Sequence, residues 1–331
     1  MKRFTDLADL DPEAVRELLA LSYRVEQSPE RRALSGKVLG LLFMNPSLRT
    51  LASFQAGMAR LGGSSFVITP GQGTWQLETR MGAVMNADRA EHVREGIPVL
   101  ASYADALGIR AFAEGVNLED DLNEVGFNAM ADLVTTPLIN MESAMNHPCQ
   151  ALADWKTMDE LKVPVHGKFV LSWVNHPRAL PLAVPAAAMT MAAQRGMEVV
   201  VLRPEGFEIP TPLADKARRL AAASGGSFTE TTDRASAMKG ARILYAKEWG
   251  STRHYGDAQG DAELRKHLAS WQVDESWFAD AEANAHFMHC LPVRRNVAVA
   301  DALLDSPRSV VLREAYNRMP AQMAVLHRLL A

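Results

Sequence analysis

The chain has 331 residues, of which 48% are hydrophobic and 22% charged, and its formal net charge is −4 at pH 7. This length favours two domains of roughly 150 residues each, and the negative balance excludes nucleic acid or an anionic membrane as an electrostatic partner. An N-terminus without an apolar signal stretch, the lack of a membrane-spanning run and only two cysteines predict a cytoplasmic protein without a disulfide framework.

The first predicted helix begins at Asp11, an N-cap residue followed by proline. Short apolar runs then alternate with helical patterns. These runs predict strands at Val38–Met44, Ser65–Thr69, Gly108–Phe112, Pro137–Asn140, Lys168–Trp173, Glu198–Leu202, Ser227–Glu230, Ile243–Ala246, His286–His289 and Val310–Leu312. Most runs are continuous, so both faces should be buried. We therefore predict an α/β fold of two domains, each an open parallel sheet covered by helices, dividing near residues 140–150.

The sequence MNPSLRT, residues 44–50, follows the first long strand, at the sheet edge where ligands of open α/β sheets bind. A helix begins near Ser47 or Leu48, and its first turn offers backbone N–H groups and a positive dipole end. Ser47 and Thr50 add hydroxyl donors, and the guanidinium of Arg49 suits phosphate oxygens. The pattern fits an anion site and also fits a capped helix with a surface arginine.

Two further polar stretches each have two interpretations. In HPCQ, His147 and Gln150 lie three residues apart on one helical face, where they could bond a carbonyl oxygen and an amide. A helix cap with a buried histidine fits the same residues, because Pro148 suits the first turn of a helix. In HCLPVRRN, residues 289–296, a cysteine, a bend at Leu291-Pro292 and two arginines follow a strand. That stretch is either a ligand-binding loop or a loop with solvated arginines, and the sequence does not show whether the bend is cis.

Single polar residues lie in or after other predicted strands. Arg110 belongs to the strand GIRAF. It either faces a partner anion, as arginines inside buried strands usually do, or lies at the end of the strand. Glu142, His176, Arg178 and Lys247 each follow a strand. Trp75 lies in a glycine-flanked loop, where tryptophan is typical of a packing residue or an interface anchor.

Several chemistries lack their motifs. No GxGxxG follows the first strand, and no Walker A, HExxH, CxxC or GxSxG sequence occurs. The remaining signals are arginines, hydroxyls and helix N-termini. They favour group transfer from a phosphorylated donor, catalysed by positioning and electrostatics without metal or cofactor.

Together these motifs resemble the aspartate/ornithine carbamoyltransferase family. The family's Ser-x-Arg-Thr is Ser47–Thr50 here, its His-Pro-x-Gln is His147–Gln150, and the His-Cys-Leu-Pro of its ornithine side is His289–Pro292. The motifs occur in the family's order and cover nearly the whole chain. The resemblance implies a carbamoyl phosphate-binding domain at 1–143, an acylornithine-binding domain at 144–308, and a C-terminal strand and helix at 309–331 that return to the first domain.

The acceptor motif departs from that of the ornithine enzymes. Their Asp-x-x-x-Ser-Met-Gly is absent, and the matching region reads YAKEWG, residues 245–250. The region around Trp75 and the extended HCLPVRRN resemble the N-acylornithine branch, whose acceptor has a blocked α-amine. Acetyl enzymes carry glutamate where this chain has Ala90 and lysine where it has Ala298. The resemblance therefore favours N-succinylornithine, because a small residue would neither repel nor crowd a succinyl carboxylate.

The resemblance also implies roles for individual residues. Carbamoyl phosphate is expected to contact Ser47, Leu48, Arg49, Thr50, Trp75, Arg110, His147, Gln150, Cys290, Leu291 and Arg295. Among these, Arg110, His147, Gln150 and Cys290 are the candidate catalytic residues. The acylornithine is expected to contact Ala90, Glu142, His176, Arg178, Lys247, Cys290 and Leu291, with Arg295 a further candidate for its acyl end. Trp75 is expected to act across the subunits of a homotrimer.

Other functions remain open at this level. N-acetylornithine carbamoyltransferase is the first alternative, followed by ornithine and aspartate carbamoyltransferase. A catalytically idle regulatory subunit that binds a phosphorylated metabolite is the alternative from outside the enzymes. Retention of both Arg49 and His147 argues against that last function.

Overall fold

The computed structural model describes all residues from 1 to 331, which fold into two compact units. The first unit comprises Met1–Glu114, Glu119–Cys149 and Arg318–Ala331, and the second comprises Gly115–Leu118 and Gln150–Asn317. The chain thus passes from one unit to the other within the helix that begins at Pro148, a few residues beyond the predicted boundary. It returns to the first unit at Arg318, inside the final helix rather than at residue 309.

Twelve strands and twelve α-helices occur along the chain. The strands are β1 (Arg3–Phe4), β2 (Val38–Phe43), β3 (Ser64–Ile68), β4 (Leu77–Glu78), β5 (Glu91–His92), β6 (Ala106–Arg110), β7 (Leu138–Glu142), β8 (Lys168–Ser172), β9 (Glu198–Leu202), β10 (Ser227–Thr231), β11 (Ala241–Ala246) and β12 (His286–Met288). The helices are α1 (Pro12–Gln27), α2 (Leu48–Arg60), α3 (Val93–Ser102), α4 (Leu118–Leu122), α5 (Val125–Ala131), α6 (Pro148–Glu160), α7 (Ala183–Gln194), α8 (Thr211–Ser224), α9 (Arg234–Met238), α10 (Ala258–Arg265), α11 (Asp301–Leu304) and α12 (Val311–Leu330). None of the helices combines the length and hydropathy that a membrane crossing requires.

The first unit is built on a parallel sheet of strand order β1-β7-β6-β2-β3. Its central strands are continuous apolar runs that bury both faces, as predicted. β3 follows β2 in the chain and pairs with one edge of β2, and β6 pairs later with its other edge. Strand order therefore reverses between β2 and β6, and a crevice beyond the carboxyl ends of two such strands is the usual ligand position in this architecture.

The second unit repeats this arrangement with the strand order β10-β9-β8-β11-β12, again all parallel. Here the order reverses between β8 and β11. Helix α7 is buried along its whole length against this sheet, which explains its run of alanines and methionines. The residues that follow β8, β11 and β12 are thus gathered at one edge of the sheet.

Most of the predicted strands are confirmed within one or two residues, but one assignment needs correction. The predicted strand Val310–Leu312 is wrong, because α12 begins at Val311. Extended pairing there is limited to one bridge between Ser309 and Phe287. Arg110 is the last residue of β6, which is the second of the two positions that the sequence allowed, so its side chain lies at the carboxyl edge of the sheet.

Candidate active site

The start of α2 presents capped backbone groups at the reversal point of the first sheet. Ser47 is the N-cap, and its side chain accepts a hydrogen bond from the Thr50 amide at 3.2 Å. Leu48 directs its side chain to solvent, with 80% exposure, so its backbone N–H is the group it can offer to a ligand. Thr50 is fully buried. This first turn combines a positive dipole end with hydroxyl groups, as the sequence predicted.

Three guanidinium groups share this region of the first unit. Arg49 follows the N-cap, Arg110 ends β6, and Arg318 on α12 donates to the Thr50 hydroxyl at 2.6 Å. Burial lowers the pKa of Arg318, and the positive charges of Arg110 and Arg49 lower it further. Like charges at low exposure repel one another, so such a group is stabilised when a multiply charged anion binds among them.

A carboxylate and a histidine complete the cluster. Glu142, at the end of β7, forms a short ion pair with Arg110, and its Oε2 lies 3.4 Å from His147 Nε2. Burial lowers the pKa of His147 well below its ordinary value, and the charges of Arg318, Arg110 and Arg49 act in the same direction. The imidazole is therefore neutral near pH 7 and can donate one hydrogen bond to a carbonyl oxygen.

The loop that delivers His147 is held by a single acidic side chain. Glu124 has a positive φ of 54° and accepts hydrogen bonds from the Ser143 hydroxyl and from the amides of Ala144 and Met145, at 2.6 to 3.0 Å. The Asn146 side chain donates to the same carboxylate at 3.0 Å. Four donors on one carboxylate give this loop a single conformation, so His147 begins from a fixed backbone.

The second unit carries a separate polar cluster after β11 and β12. Lys247 donates to Glu248 at 2.7 Å, and Glu248 Oε2 lies 4.0 Å from His289 Nε2. All three side chains are buried. Burial alone would raise the pKa of Glu248, but the charges around it, led by the Lys247 ammonium, lower the pKa below its ordinary value. Glu248 is therefore ionised. His289 Nδ1 accepts from the Leu291 amide at 2.9 Å, which leaves the proton of a neutral ring on Nε2 towards Glu248.

His176 follows β8 and contacts an arginine from the HCLPVRRN loop. Arg294 Nε donates to His176 Nε2 at 3.3 Å, while His176 Nδ1 lies 2.9 Å from the Arg178 carbonyl oxygen. The Arg178 amide donates to the same Nδ1 at 3.1 Å. Burial lowers the pKa of His176, so the ring is neutral. The side chain of Arg178 is exposed.

The residues of the HCLP motif lie beside this second cluster. Cys290 is a buried free thiol, and Leu291 has a positive φ of 56° before a cis peptide bond to Pro292. Gln150 is buried on the first turn of α6, and its side-chain nitrogen donates to Asp154 and Glu314. The structure thus places Gln150 in a network of carboxyl groups that the sequence did not predict.

Three predicted site residues lie outside both clusters. Arg295 is half exposed and forms ion pairs with Asp301 and Asp305, so its guanidinium is occupied by carboxylates on the surface. Trp75 is 59% exposed, and its indole donates to Glu91 at 2.7 Å. Ala90 is exposed and directly precedes Glu91, the first residue of β5.

Two site residues were missed from the sequence, namely Arg318 and Arg294. Arg318 belongs to a buried polar stripe on α12 that also includes Glu314, Asn317 and Gln322. Polar residues at helical spacing between apolar ones were a usable signal, because such groups are buried only with partners. Of the two adjacent arginines, the sequence analysis predicted a ligand contact for Arg295 and none for Arg294.

Comparison with known proteins gives the family of this chain. Residues 2–160 match the family model for the aspartate/ornithine carbamoyltransferase carbamoyl-P binding domain, and residues 184–329 match that for the Asp/Orn binding domain. The chain is 37% identical to an N-succinylornithine carbamoyltransferase of Bacteroides fragilis, covering 100% of this chain and 99% of the relative. It is 36% identical to an N-acetylornithine carbamoyltransferase of Xanthomonas campestris, covering 98% and 97%.

Solved structures agree with the sequence relatives. A crystal structure of a mutant N-acetyl-L-ornithine transcarbamylase, complexed with carbamyl phosphate and N-succinyl-L-norvaline, superposes with a TM-score of 0.95 at 36% identity. The match covers 99% of this chain and 100% of that one. The resemblance inferred from three short motifs is confirmed, and the chain belongs to the aspartate/ornithine carbamoyltransferase family.

Proposed function

We propose that this protein transfers the carbamoyl group of carbamoyl phosphate to the δ-amine of N-succinyl-L-ornithine, giving N-succinyl-L-citrulline and phosphate. The observation that carries the donor half is the convergence of Arg49, Arg110 and Arg318 with the neutral His147 at the start of α2. Three cations, less the one Glu142 charge that is paired with Arg110, match a phosphate dianion, and a neutral imidazole matches a carbonyl oxygen.

Each group at the donor site has a distinct task in this mechanism. The helix start, with Ser47 and Thr50, and the three guanidinium groups hold the phosphate. His147 polarises the carbamoyl carbonyl, and the negative charge that develops on its oxygen is stabilised by the neighbouring Arg110. Because the groups are fixed before the reaction, little reorganisation is needed in the transition state.

The acceptor amine supplies the electron pair. Its ordinary pKa is about 10.4, like that of lysine, so it must reach the carbonyl carbon as a neutral amine. A new C–N bond forms, the bond from carbon to the phosphate oxygen breaks, and the leaving phosphate accepts the proton that the nitrogen loses. Lys247 and Glu142 bind the acylornithine backbone, and Cys290 with the Leu291 backbone lies beside the reacting amine.

The acyl end is assigned to basic groups of the second unit. We place the succinyl carboxylate near Arg178 and the Arg294–His176 pair, because a carboxylate requires cationic donors. Arg295 is left out, since Asp301 and Asp305 already neutralise it.

The choice of succinyl over acetyl depends on Ala90 and Ala298. The mutant transcarbamylases in complexes with N-succinyl-L-norvaline have a glutamate replaced by alanine, proline, serine or valine, which supports a link between the absence of that glutamate and a succinyl acceptor. Ala298 lies fully buried in the apolar core of the second unit, where a lysine would need a polar partner. Relatives of both kinds have similar identity to this chain, so acetylornithine is the second candidate.

A parallel assay tests the proposal. Carbamoyl phosphate is supplied with succinylornithine, acetylornithine, ornithine and aspartate in turn, and the ureido product is measured. We expect the highest kcat/KM with succinylornithine. A higher value with acetylornithine would reassign the acceptor, and no product with any of them would favour a phosphometabolite-binding regulatory subunit.

Ala90→Glu should shift the acceptor preference towards acetylornithine. A glutamate there would repel the succinyl carboxylate and take up its space, so we expect the ratio of kcat/KM for succinylornithine to that for acetylornithine to fall at least about 10-fold. Ala87→Glu is the matched control, because it adds the same charge to the same exposed loop. An equal response of both variants would remove Ala90 as the selector.

Trp75 gives a test of the expected trimer. If its side chain completes the site of a neighbouring subunit, Trp75→Ala and Arg49→Ala subunits should each be inactive alone. Mixed trimers should then regain activity, because an intact Arg49 on one subunit meets an intact Trp75 on the next. No recovery after co-refolding would place Trp75 outside the neighbour's site, and a monomer in sedimentation would exclude the arrangement.

A further inference from the structure

The side-chain amide of Gln150 is held in one orientation by two carboxyl groups. Its nitrogen donates to Asp154 Oδ1 at 2.7 Å and lies 3.3 Å from Glu314 Oε1, and the amide is buried. An ionised carboxylate accepts hydrogen bonds and does not donate them, so the shorter contact, to the Asp154 carboxylate, requires the nitrogen end of the amide. The two ends of Gln150 are therefore distinguished by chemistry.

The other end of the same amide has no hydrogen-bond partner within the protein. Gln150 Oε1 is buried and unpaired. A buried carbonyl oxygen without a donor is unfavourable, and the exceptions in folded proteins call for a functional reason. The atom is thus suited to accept a hydrogen bond from a bound molecule that carries an N–H group.

The carboxyl pair is itself fixed in place. Glu314 Oε2 accepts from the His289 amide at 2.9 Å, at the start of the HCLP motif. Burial raises the pKa of Glu314, and the adjacent Asp154 charge raises it further. Tyr245 faces both groups from β11, and burial followed by their charges raises the pKa of its phenol, so it stays protonated. The raised pKa favours a proton on Glu314, beside the Asp154 charge that is the closer acceptor of the Gln150 amide.

We propose that Asp154 and Glu314 are positioning residues that turn the Gln150 oxygen towards the NH2 group of carbamoyl phosphate. This inference rests on the proposed function for the identity of the donor. The NH2 group donates to Gln150 Oε1, whereas the methyl group of acetyl phosphate, which has the same size and phosphate, cannot. The locked amide thus selects a carbamoyl donor from other acyl phosphates.

Calorimetric titration with carbamoyl phosphate and with acetyl phosphate separates this role from a structural one. For the wild type we expect carbamoyl phosphate to bind about 10- to 100-fold more tightly, the effect of one buried acceptor left unpaired. In the double variant Asp154→Asn/Glu314→Gln, both acceptor groups become amides that can also donate. The side-chain amide of Gln150 can then rotate by half a turn and exchange its oxygen and nitrogen positions. We expect the two affinities to come within about threefold of each other, mainly through weaker carbamoyl phosphate binding.

Two further variants keep the test decisive. Asp154→Asn alone makes the closer partner an amide that can accept or donate, and it should lower the ratio of affinities partway, so it replaces the double variant if that one does not fold. Thr157→Val is the control on the same helix, because Thr157 is buried, donates to Ala153 at 2.7 Å and accepts from Asn317 at 2.9 Å. It should leave the ratio unchanged.

The outcomes distinguish this inference from the proposed function. A wild-type protein that binds both ligands equally, or carboxyl variants that weaken both equally, would overturn the positioning role. A wild type that prefers carbamoyl phosphate but yields no product with any acceptor would overturn the proposed reaction. In that case a loss of the preference in the carboxyl variants would still support the role of Asp154 and Glu314.

Discussion

Replacing Arg49 with alanine should lower kcat/KM for carbamoyl phosphate about 10³-fold, which corresponds to about 4 kcal/mol of transition-state stabilisation. Arg49 lies two residues beyond the Ser47 helix cap, and its Nε is buried. Its planar fork can bond two phosphate oxygens, and it contributes a charge that the leaving phosphate needs as the bond to carbon breaks. Arg49→Lys should retain part of the activity, because it keeps the charge and loses the fork.

The folding stability of Arg49→Ala should be higher than that of the wild type or unchanged, in contrast to its activity. The charges of Arg110 and Arg49 already lower the pKa of Arg318, so removing one of them relieves repulsion within the cluster. We expect the free energy of unfolding of Arg49→Ala to equal or exceed that of the wild type. Arg60→Ala, at the exposed end of the same helix, is the control and should change neither quantity appreciably. Near-normal turnover of Arg49→Ala would contradict the phosphate assignment.

The parts of the site that could be predicted from sequence are those set by local rules. Ser47 precedes a helix after a continuous apolar strand, and Pro148 begins a helix two residues before Gln150. Helix capping and the hydrophobic pattern depend on residues that are close together in the chain, so short motifs are enough to locate them. The edge of the sheet where those motifs gather follows from parallel topology alone.

The missed residues depend on contacts that are distant in sequence. Arg318 bonds to Thr50, 268 positions away, and no local pattern names that partner. The choice between the adjacent Arg294 and Arg295 is made by Asp301 and Asp305, which attract Arg295 to the surface while Arg294 contacts His176. Tertiary partners decide such cases, and two neighbouring arginines look equivalent without them.

The wrong strand at Val310–Leu312 has a similar cause. The residues Ser309-Val310-Val311 have a strand-forming composition, and the backbone does make hydrogen bonds to Phe287 from both sides of Ser309. The apolar and polar residues that follow recur at helical spacing up to Leu330, and this longer pattern sets the start of α12. The buried polar face of the same helix then supplies both Arg318 and Glu314.

Replacing Asp261 with alanine should lower the free energy of unfolding of the second unit by about 3–5 kcal/mol. Asp261 is buried on α10 and forms an ion pair with the buried Arg265. It also accepts from the Ser251 amide at 2.7 Å. The variant leaves the guanidinium of Arg265 charged, buried and without its counter-ion, which costs far more than the loss of an exposed pair.

The surroundings of Arg265 show why this ion pair matters beyond stability. Its guanidinium lies 5.4 Å from the Trp173 ring centre and 5.2 Å from that of Phe207, and it donates to the Trp249 carbonyl at 2.8 Å. Trp249 follows Lys247 by two residues, so the pair also fixes the loop that presents this lysine.

Denaturant unfolding of three variants tests the prediction for Asp261. Asp261→Ala should have the lowest midpoint, while Glu263→Ala, which removes an exposed pair with Lys266 on the same helix, should stay within about 0.5 kcal/mol of the wild type. The double variant Asp261→Leu/Arg265→Met should recover much of the loss, because two apolar side chains leave no buried charge behind. If Asp261→Ala and Glu263→Ala were equally stable, the buried pair would not be a major contributor. A further readout is the KM for acylornithine, which should rise in Asp261→Ala because the Lys247 loop loses its anchor, whereas binding of carbamoyl phosphate should be retained.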